Sequence, residues 1–379
     1  MREHVDRGHG GAVLRSDDAG SFTENAGFAV RENDGDVGGD ANRAVRKAGS
    51  KYDAVKVKVV FSQGDGGRRE PVSHVLSRYL ISRRLTAIKV HPDDAVRVAL
   101  DLKKRLVDRG MLEVHASELE SELFAELLRR SYTPKELRRY QMVEAFHRMR
   151  IPLLILIAGP ASSGKTALAM QLSSRLNLPH VVQADLICSM LRSSGIAGLD
   201  PRALWLRDDL DRAAFLAEFA RECAVVRAAL AEEVSKCCVD GKSLIMEGSC
   251  LDPALFADAM GPVGPAPWHD GAAAGTRAAP RPAVHVGDQR AVVHMPVVLR
   301  LATGSRCGPT GRDAAGQAAS GAFAQKQRWV EEYLVASDRE VPRIDVRLDE
   351  ESTAAALESL HDWWLACVEA CVEAARPAP

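Results

Sequence analysis

The chain is short of several features that would assign it to a class at once. Aromatic residues make up only 5% of its 379 residues, which argues against surfaces built on stacked bases. Lys plus Arg number 50 and Asp plus Glu 51, a formal charge of −1. That balance argues against a nucleic-acid or membrane-surface binder, although local patches survive such a sum. Eight cysteines stand at 188, 223, 237, 238, 250, 307, 367 and 371, and no two are spaced C-x-x-C. Neither a zinc ribbon nor a thioredoxin motif is on offer. The opening MREHVDRGHG has no apolar signal region, and the longest apolar runs, near 153–158 and 292–299, fall short of the ~18 residues of a membrane span. A thiol-reduced cytoplasmic protein is the expectation.

What is present begins after a tail. Residues 1–55 are rich in Gly, Asp, Asn and Arg without hydrophobic period, and read as disordered. VKVKVVF (55–61) alternates apolar and basic residues and suits an edge strand. Helices follow: a stripe of Val75, Leu76, Tyr79, Leu80 and Ile81, then one opened by Pro92 and closed by Gly110. Ser117 with Glu120 reads as a capping box for a third helix. Thr133-Pro134 opens a fourth that runs to about Arg148. Residues 56–150 thus read as a small helical domain. Between 68 and 150, 18 Lys/Arg face 12 Asp/Glu, which fits a solvated surface or one that meets a polyanion.

From 151 the pattern becomes α/β. LLILIA (153–158) is a continuous apolar run, as in a strand buried on both faces. HVVQAD (180–185), SLIMEG (243–248), VVHMPVVLRL (292–301) and VPRIDVRL (341–348) read as further strands, with helices between them. One long helix is expected over about 208–237 and a last one around Trp363-Trp364. Strand–helix alternation predicts a five-stranded parallel sheet covered by helices. Two Gly- and Ala-rich stretches, 257–291 and 303–322, read as flexible insertions.

Gly159-Pro160-Ala161-Ser162-Ser163-Gly164-Lys165-Thr166 follows the first strand and opens a helix. That is the setting a phosphate-binding loop needs. Glycines let the backbone N–H groups approach a triphosphate, and the helix aims its positive end at the anion. The Lys165 side chain would reach the outer phosphates, and Thr166 would offer a hydroxyl to Mg²⁺. Ligands of such sheets bind at the carboxyl ends of the strands. Asp185 at the end of the second strand is the candidate to orient an acceptor hydroxyl and take its proton. Glu247 at the end of the third is the candidate for the Mg²⁺ side. An N-cap role for Asp185 and an exposed strand-end role for Glu247 are the plainer alternatives. Arg192 either grips an anionic substrate or is solvated. Arg300, Arg306, Arg312 and Arg328 are candidates for a closing lid. Cys250, three residues past Glu247, faces the pocket on this reading, and the other cysteines are core or surface.

RRYQMVEAFHRMRIPLLILIAGPASSGKT, QLSSRLNLPHVVQADLICSMLR and GKSLIMEGSCLDP together resemble the 2-phosphoglycerate kinase family and its plant relatives linked to low seed phytic acid. QRWVEEYLVASDREVPRIDV is similar more weakly. The resemblance covers about two-thirds of the chain. It implies a P-loop kinase domain over 151–379 that uses ATP and Mg²⁺ to phosphorylate a small anionic metabolite, 2-phosphoglycerate. It also implies an ATP-cone-like regulatory module over 56–150. The family usually carries a histidine where this chain has Cys250, and the two insertions replace better-defined sequence. The acceptor side therefore departs from the pattern while the nucleotide loop keeps it. A nucleotide-sensing regulatory protein without transferase activity, acting on a protein partner, is the alternative. Kinases of inositol phosphates or nucleic-acid 5′ ends fit the charge balance less well.

Overall fold

In the computed structural model, residues 51–61, 72–195, 198–256, 292–302, 314–336 and 341–374 are described. The tail up to residue 50 and the insertion at 257–291 lie outside them. Lys51–Ala54, at the end of the stretch read as tail, forms a turn of helix (α1). Its Asp53 pairs with Arg78 at 2.5 Å.

Three short strands lie in this part of the chain, the last separated from the second by two helices. They are β1 (Lys58–Phe61), β2 (Val72–Val75) and β3 (Glu113–His115). Their order is β2-β1-β3, with β1 antiparallel to β2 and parallel to β3. The segment expected at an edge is therefore the central strand. Alternation reports one buried face, Val57 and Val59 here, and says nothing of what pairs on either side. Helices α2 (Arg78–Ala87), α3 (Pro92–Asp108), α4 (Ala116–Arg129) and α5 (Pro134–Met149) complete this part. The Thr133–Glu136 capping box forms at α5, with the Thr133 N–H donating to Glu136 at 2.9 Å. The Ser117–Glu120 box does not form. Helix α4 starts two residues earlier, with His115 rather than Ser117 at the cap position, and Glu120 accepts instead from Gln141 of α5 at 2.7 Å.

The second sheet is all-parallel and five-stranded. It contains β4 (Leu153–Ala158), β5 (Val181–Gln183), β6 (Ser243–Gly248), β7 (Val293–Leu301) and β8 (Arg343–Val346) in the order β5-β6-β4-β7-β8. The fold is α/β of the P-loop kinase type. Strand β4 is central, and its continuous apolar run follows from burial on both faces. Leu153, Ile155 and Ile157 face one core, and Leu154, Leu156 and Ala158 the other. Helices α6 (Lys165–Leu176) and α11 (Glu350–Ala374) cover the first face. Trp363 and Trp364 pack there, both buried. Helices α7 (Ala184–Ser194), α8 (Arg212–Ala229), α9 (Ala231–Asp240) and α10 (Ala314–Leu334) serve the second face.

Two expectations change here. The long helix over 208–237 is two helices, broken at Leu230. The stretch 303–322 is helical from Ala314 onward. Its alanines favour helix strongly enough to carry the glycines among them; residues 303–313 lie outside the described set.

The first face of the sheet shares its core with the N-terminal part. Leu85, Leu102, Leu127 and Phe146 belong to the same buried cluster as Ile155, Leu172 and Trp364. Polar links cross as well. The Arg83 guanidinium donates to Asn177 and Ser174 at the end of α6. Glu358 of α11 bridges Lys89 and Arg175. The His361 ring meets the Ala87 carbonyl at 2.7 Å. Ser50–Pro379 form one compact unit.

Candidate nucleotide and phosphoryl-transfer site

The loop between β4 and α6 is tied by contacts within itself and with β7. Gly159 has φ +149°, and a Cβ there would stand 2.7 Å from the Leu299 carbonyl oxygen. Only glycine lets the chain pass β7 so closely. Gly164, at φ +83°, is the residue before α6. The Lys165 ammonium folds back and donates to the Pro160 carbonyl at 2.7 Å. It is 5% exposed. Burial lowers its pKa, and the charges of Asp185, Glu247 and Cys250 oppose that shift. The lysine is held against the loop's own backbone with little water around it.

Thr166 donates its hydroxyl to Glu247 Oε1 at 2.8 Å. Glu247 ends β6 beside β4 and is itself buried. Its Oε2 is buried with no hydrogen-bond partner. Burial raises its pKa, against the Thr166 hydrogen bond and the Lys165 charge. An orphaned carboxylate oxygen beside a loop hydroxyl is a set of hard oxygen donors. It fits Mg²⁺, which takes one or two protein oxygens and fills its shell with water and substrate phosphates. Among the described residues no group of three or more His, Cys, Asp or Glu would hold a metal alone.

Asp185 does not end the second strand. Strand β5 stops at Gln183, and Asp185 lies in the first turn of α7. Nor is it the cap, which is Gln183. Its carboxylate turns across to the end of β6. There it accepts from the Ser249 N–H at 2.7 Å, the Ser249 hydroxyl at 2.8 Å, the Cys250 N–H at 3.1 Å and the Cys250 thiol at 3.2 Å. Burial would raise its pKa, but Lys165 and these hydrogen bonds prevail and hold it below the usual carboxylate range. Gly248 makes the approach possible, because a Cβ there would come within 2.7 Å of the Ala184 Cβ and 3.2 Å of Asp185 Oδ1. Asp185 nonetheless keeps an exposed face.

The structure therefore brings Lys165, Thr166, Asp185 and Glu247 around one loop. Arg192 behaves differently. It pairs with Glu222 of α8 at 2.5 Å and touches Cys188 at 3.4 Å, so it braces α7 against α8. Arg300 forms a two-pronged pair with Asp345 at 2.6 and 2.8 Å. Arg328 is exposed on α10, and Arg306 and Arg312 lie outside the described residues. Sequence reading passed over the polar residues of α10. Buried Gln327 donates to the Ala161 carbonyl of the loop at 2.8 Å. Buried Lys326 donates to the Trp205 carbonyl at 3.0 Å and to Asp208 at 2.6 Å. In the sequence both lie in the polar run QKQR (325–328), which gives no sign that they are buried.

A phosphate-type loop at the carboxyl end of the central strand, with Glu247 near the end of the neighbouring β6 and Asp185 turned toward it from α7, is the arrangement of a P-loop kinase fold. No family model matches the chain, and no solved structure does. Curated relatives do match, and all those described here are named 2-phosphoglycerate kinase. The chain is 28% identical over 192 residues to that of Methanocaldococcus jannaschii, covering 48% of this chain and 60% of the relative. It is 26% identical over 204 residues to that of Pyrococcus horikoshii, covering 52% and 66%. It is 31% identical over 116 residues to that of Methanopyrus kandleri, covering 31% and 35%. The chain thus spans less than two-thirds of these relatives' lengths and is homologous to the 2-phosphoglycerate kinase family.

Proposed function

We propose that the chain is a kinase that transfers the γ-phosphoryl group of Mg·ATP to a hydroxyl on a small anionic metabolite of the 2-phosphoglycerate kind. The observation that carries this reading is the Thr166–Glu247 contact at 2.8 Å, with Glu247 Oε2 left unpaired. It joins the loop hydroxyl to a second strand end, where a metal-bound triphosphate would need oxygen donors. The names of the relatives support the acceptor class.

In this reading the loop N–H groups and the α6 N-terminus hold the β- and γ-phosphates. Lys165 leaves the Pro160 carbonyl and spans the transferring group, where its charge offsets the charge that develops on the equatorial oxygens. Thr166 and Glu247 hold the Mg²⁺ side, and the metal would neutralise the phosphates when bound. Asp185, kept ionised, accepts the acceptor hydroxyl's hydrogen bond, lines it up and receives its proton late. A loose phosphoryl-transfer transition state asks for no stronger base. The role of 56–150 as a regulatory nucleotide module, and any link to phytic acid metabolism, belong to the same proposal and rest on resemblance.

The test is ADP release from full-length protein with Mg·ATP and a panel of phosphorylated hydroxy acids that includes 2-phosphoglycerate. Acceptor-dependent turnover that disappears in Lys165→Ala is the expected result. Tight ATP binding with no turnover on any acceptor would leave a nucleotide sensor and overturn the kinase reading.

A further inference from the structure

Gln327 is 0% exposed, and only half of its amide is satisfied. Its Nε2 donates to the Ala161 carbonyl at 2.8 Å, while its Oε1 is buried without a partner. A carbonyl can only accept, so the nitrogen is the atom that must face Ala161. Leaving the other half unpaired in the interior costs free energy. The bond to Ala161 is what that arrangement secures.

The Ala161 carbonyl and the Ser162 N–H are two ends of one planar trans peptide, and they point in opposite directions. Fixing the carbonyl outward fixes the N–H inward, toward the space the loop encloses. Ser162 sits at φ +61°, a left-handed conformation that residues with a Cβ adopt at a cost. Its side chain is exposed, so packing of that side chain does not hold it there. Successive N–H groups around a left-handed residue form an anion-binding nest. The loop therefore needs something to keep a strained non-glycine in place before phosphate arrives.

We infer that Gln327 is a positioning residue for the phosphate loop: from α10 it pins the Ala161–Ser162 peptide so that the Ser162 N–H points at the bound phosphates. Its neighbours fix α10 for the purpose. Lys326 ties the helix to Trp205 and Asp208. Glu331 accepts from the Leu301 N–H at the end of β7 at 2.8 Å. One helix thereby joins the loop, the 205–208 segment and the end of β7. The inference rests on the nucleotide site proposed above and assigns that site a component outside the loop.

Calorimetry with Mg·ATP on the full chain tests it, using Gln327→Met in the Ser162 and Ser162→Gly backgrounds. Methionine keeps the volume and removes the donor. With Ser162 present, affinity is expected to fall about tenfold, the loss of roughly one hydrogen bond. Glycine takes the left-handed conformation without strain. In the Ser162→Gly background the same substitution is therefore expected to weaken binding only about twofold. A packing role would not depend on residue 162. Unchanged affinity in Gln327→Met, or an equal loss in both backgrounds, overturns the inference. Gln327→Leu, which also removes the donor and adds no charge, carries the same expectations should the methionine variant fail to fold. Absence of Mg·ATP binding by the unsubstituted protein would instead remove the nucleotide site itself.

Discussion

The Thr166 hydroxyl and the Glu247 carboxylate meet at 2.8 Å although 81 positions separate them in the chain. One belongs to the helix that follows the phosphate loop and the other to the neighbouring strand β6. Glu247→Gln keeps an oxygen to accept from Thr166 and replaces one charged oxygen by an amide. Turnover is expected to fall about a hundredfold, in the range of a lost electrostatic stabiliser. The Mg²⁺ concentration for half-maximal rate should rise, and metal-free ATP binding should hold. A magnesium titration of the rate checks this. An unchanged half-saturation point would separate Glu247 from the metal.

Asp185→Asn retains the shape and most acceptors of the Ser249–Cys250 clamp but loses the charge. Acceptor phosphorylation is expected to drop by about two to four orders of magnitude, while ATP affinity stays within about threefold. Steady-state rates paired with calorimetry read the split. Full activity in this variant would mean that another group meets the acceptor hydroxyl.

Gly248→Ala inserts a methyl where the Ala184 Cβ is 2.7 Å away. Helix α7 must shift, and Asp185 with it. Such overpacking costs about 1–3 kcal/mol, and melting should fall by several degrees. Turnover should fall by more than ATP affinity does, because the displaced group lies on the acceptor side. Scanning calorimetry and initial rates on the same preparation decide the matter. A wild-type melting curve with wild-type rates would show that the contact yields freely.

His294 and His361 are both buried, and burial pushes each pKa down to about 4. For His361 the Ala87 hydrogen bond opposes that push only in part. The folded state keeps both rings neutral, while the unfolded chain takes up protons below about 6.5. Their contribution to stability is therefore complete above that pH and is lost as pH falls toward 4. By pH 5 each should cost about 2 kcal/mol. Urea unfolding at pH 7.5 and pH 5 measures the loss, and His294→Leu should remove about 2 kcal/mol of it. A pH-independent midpoint over this range would contradict the burial of both rings.

Much of this was legible in the residues because local chemistry repeated the global answer. LLILIA could only be a strand buried on two faces, and GPASSGKT at its end could only be a turn into a helix. Thr133-Pro134 likewise marked the start of α5. What failed was information held by other parts of the chain. The pairing of β1 on both edges depends on β3, three residues long and without period. The Ser117–Glu120 box lost to a hydrogen bond with Gln141. Asp185 was legible only as a candidate at a strand end, and neither its place in α7 nor its clamp by Ser249 and Cys250 was, since the clamp depends on a close approach that Gly248 permits. Arg192 reads the same in one dimension whether it awaits a ligand or holds Glu222. Gln327 lies 166 positions from Ala161, and nothing local marks that bond.

The bridge from Lys89 through Glu358 to Arg175 has a practical corollary. A fragment begun at residue 151 would strip Lys89 from Glu358 and lay bare part of the core that Trp364 shares with Leu85 and Phe146. Anyone trimming the chain to residues 151–379 should expect an insoluble product, and limited proteolysis near residue 150 should leave the cut pieces bound together.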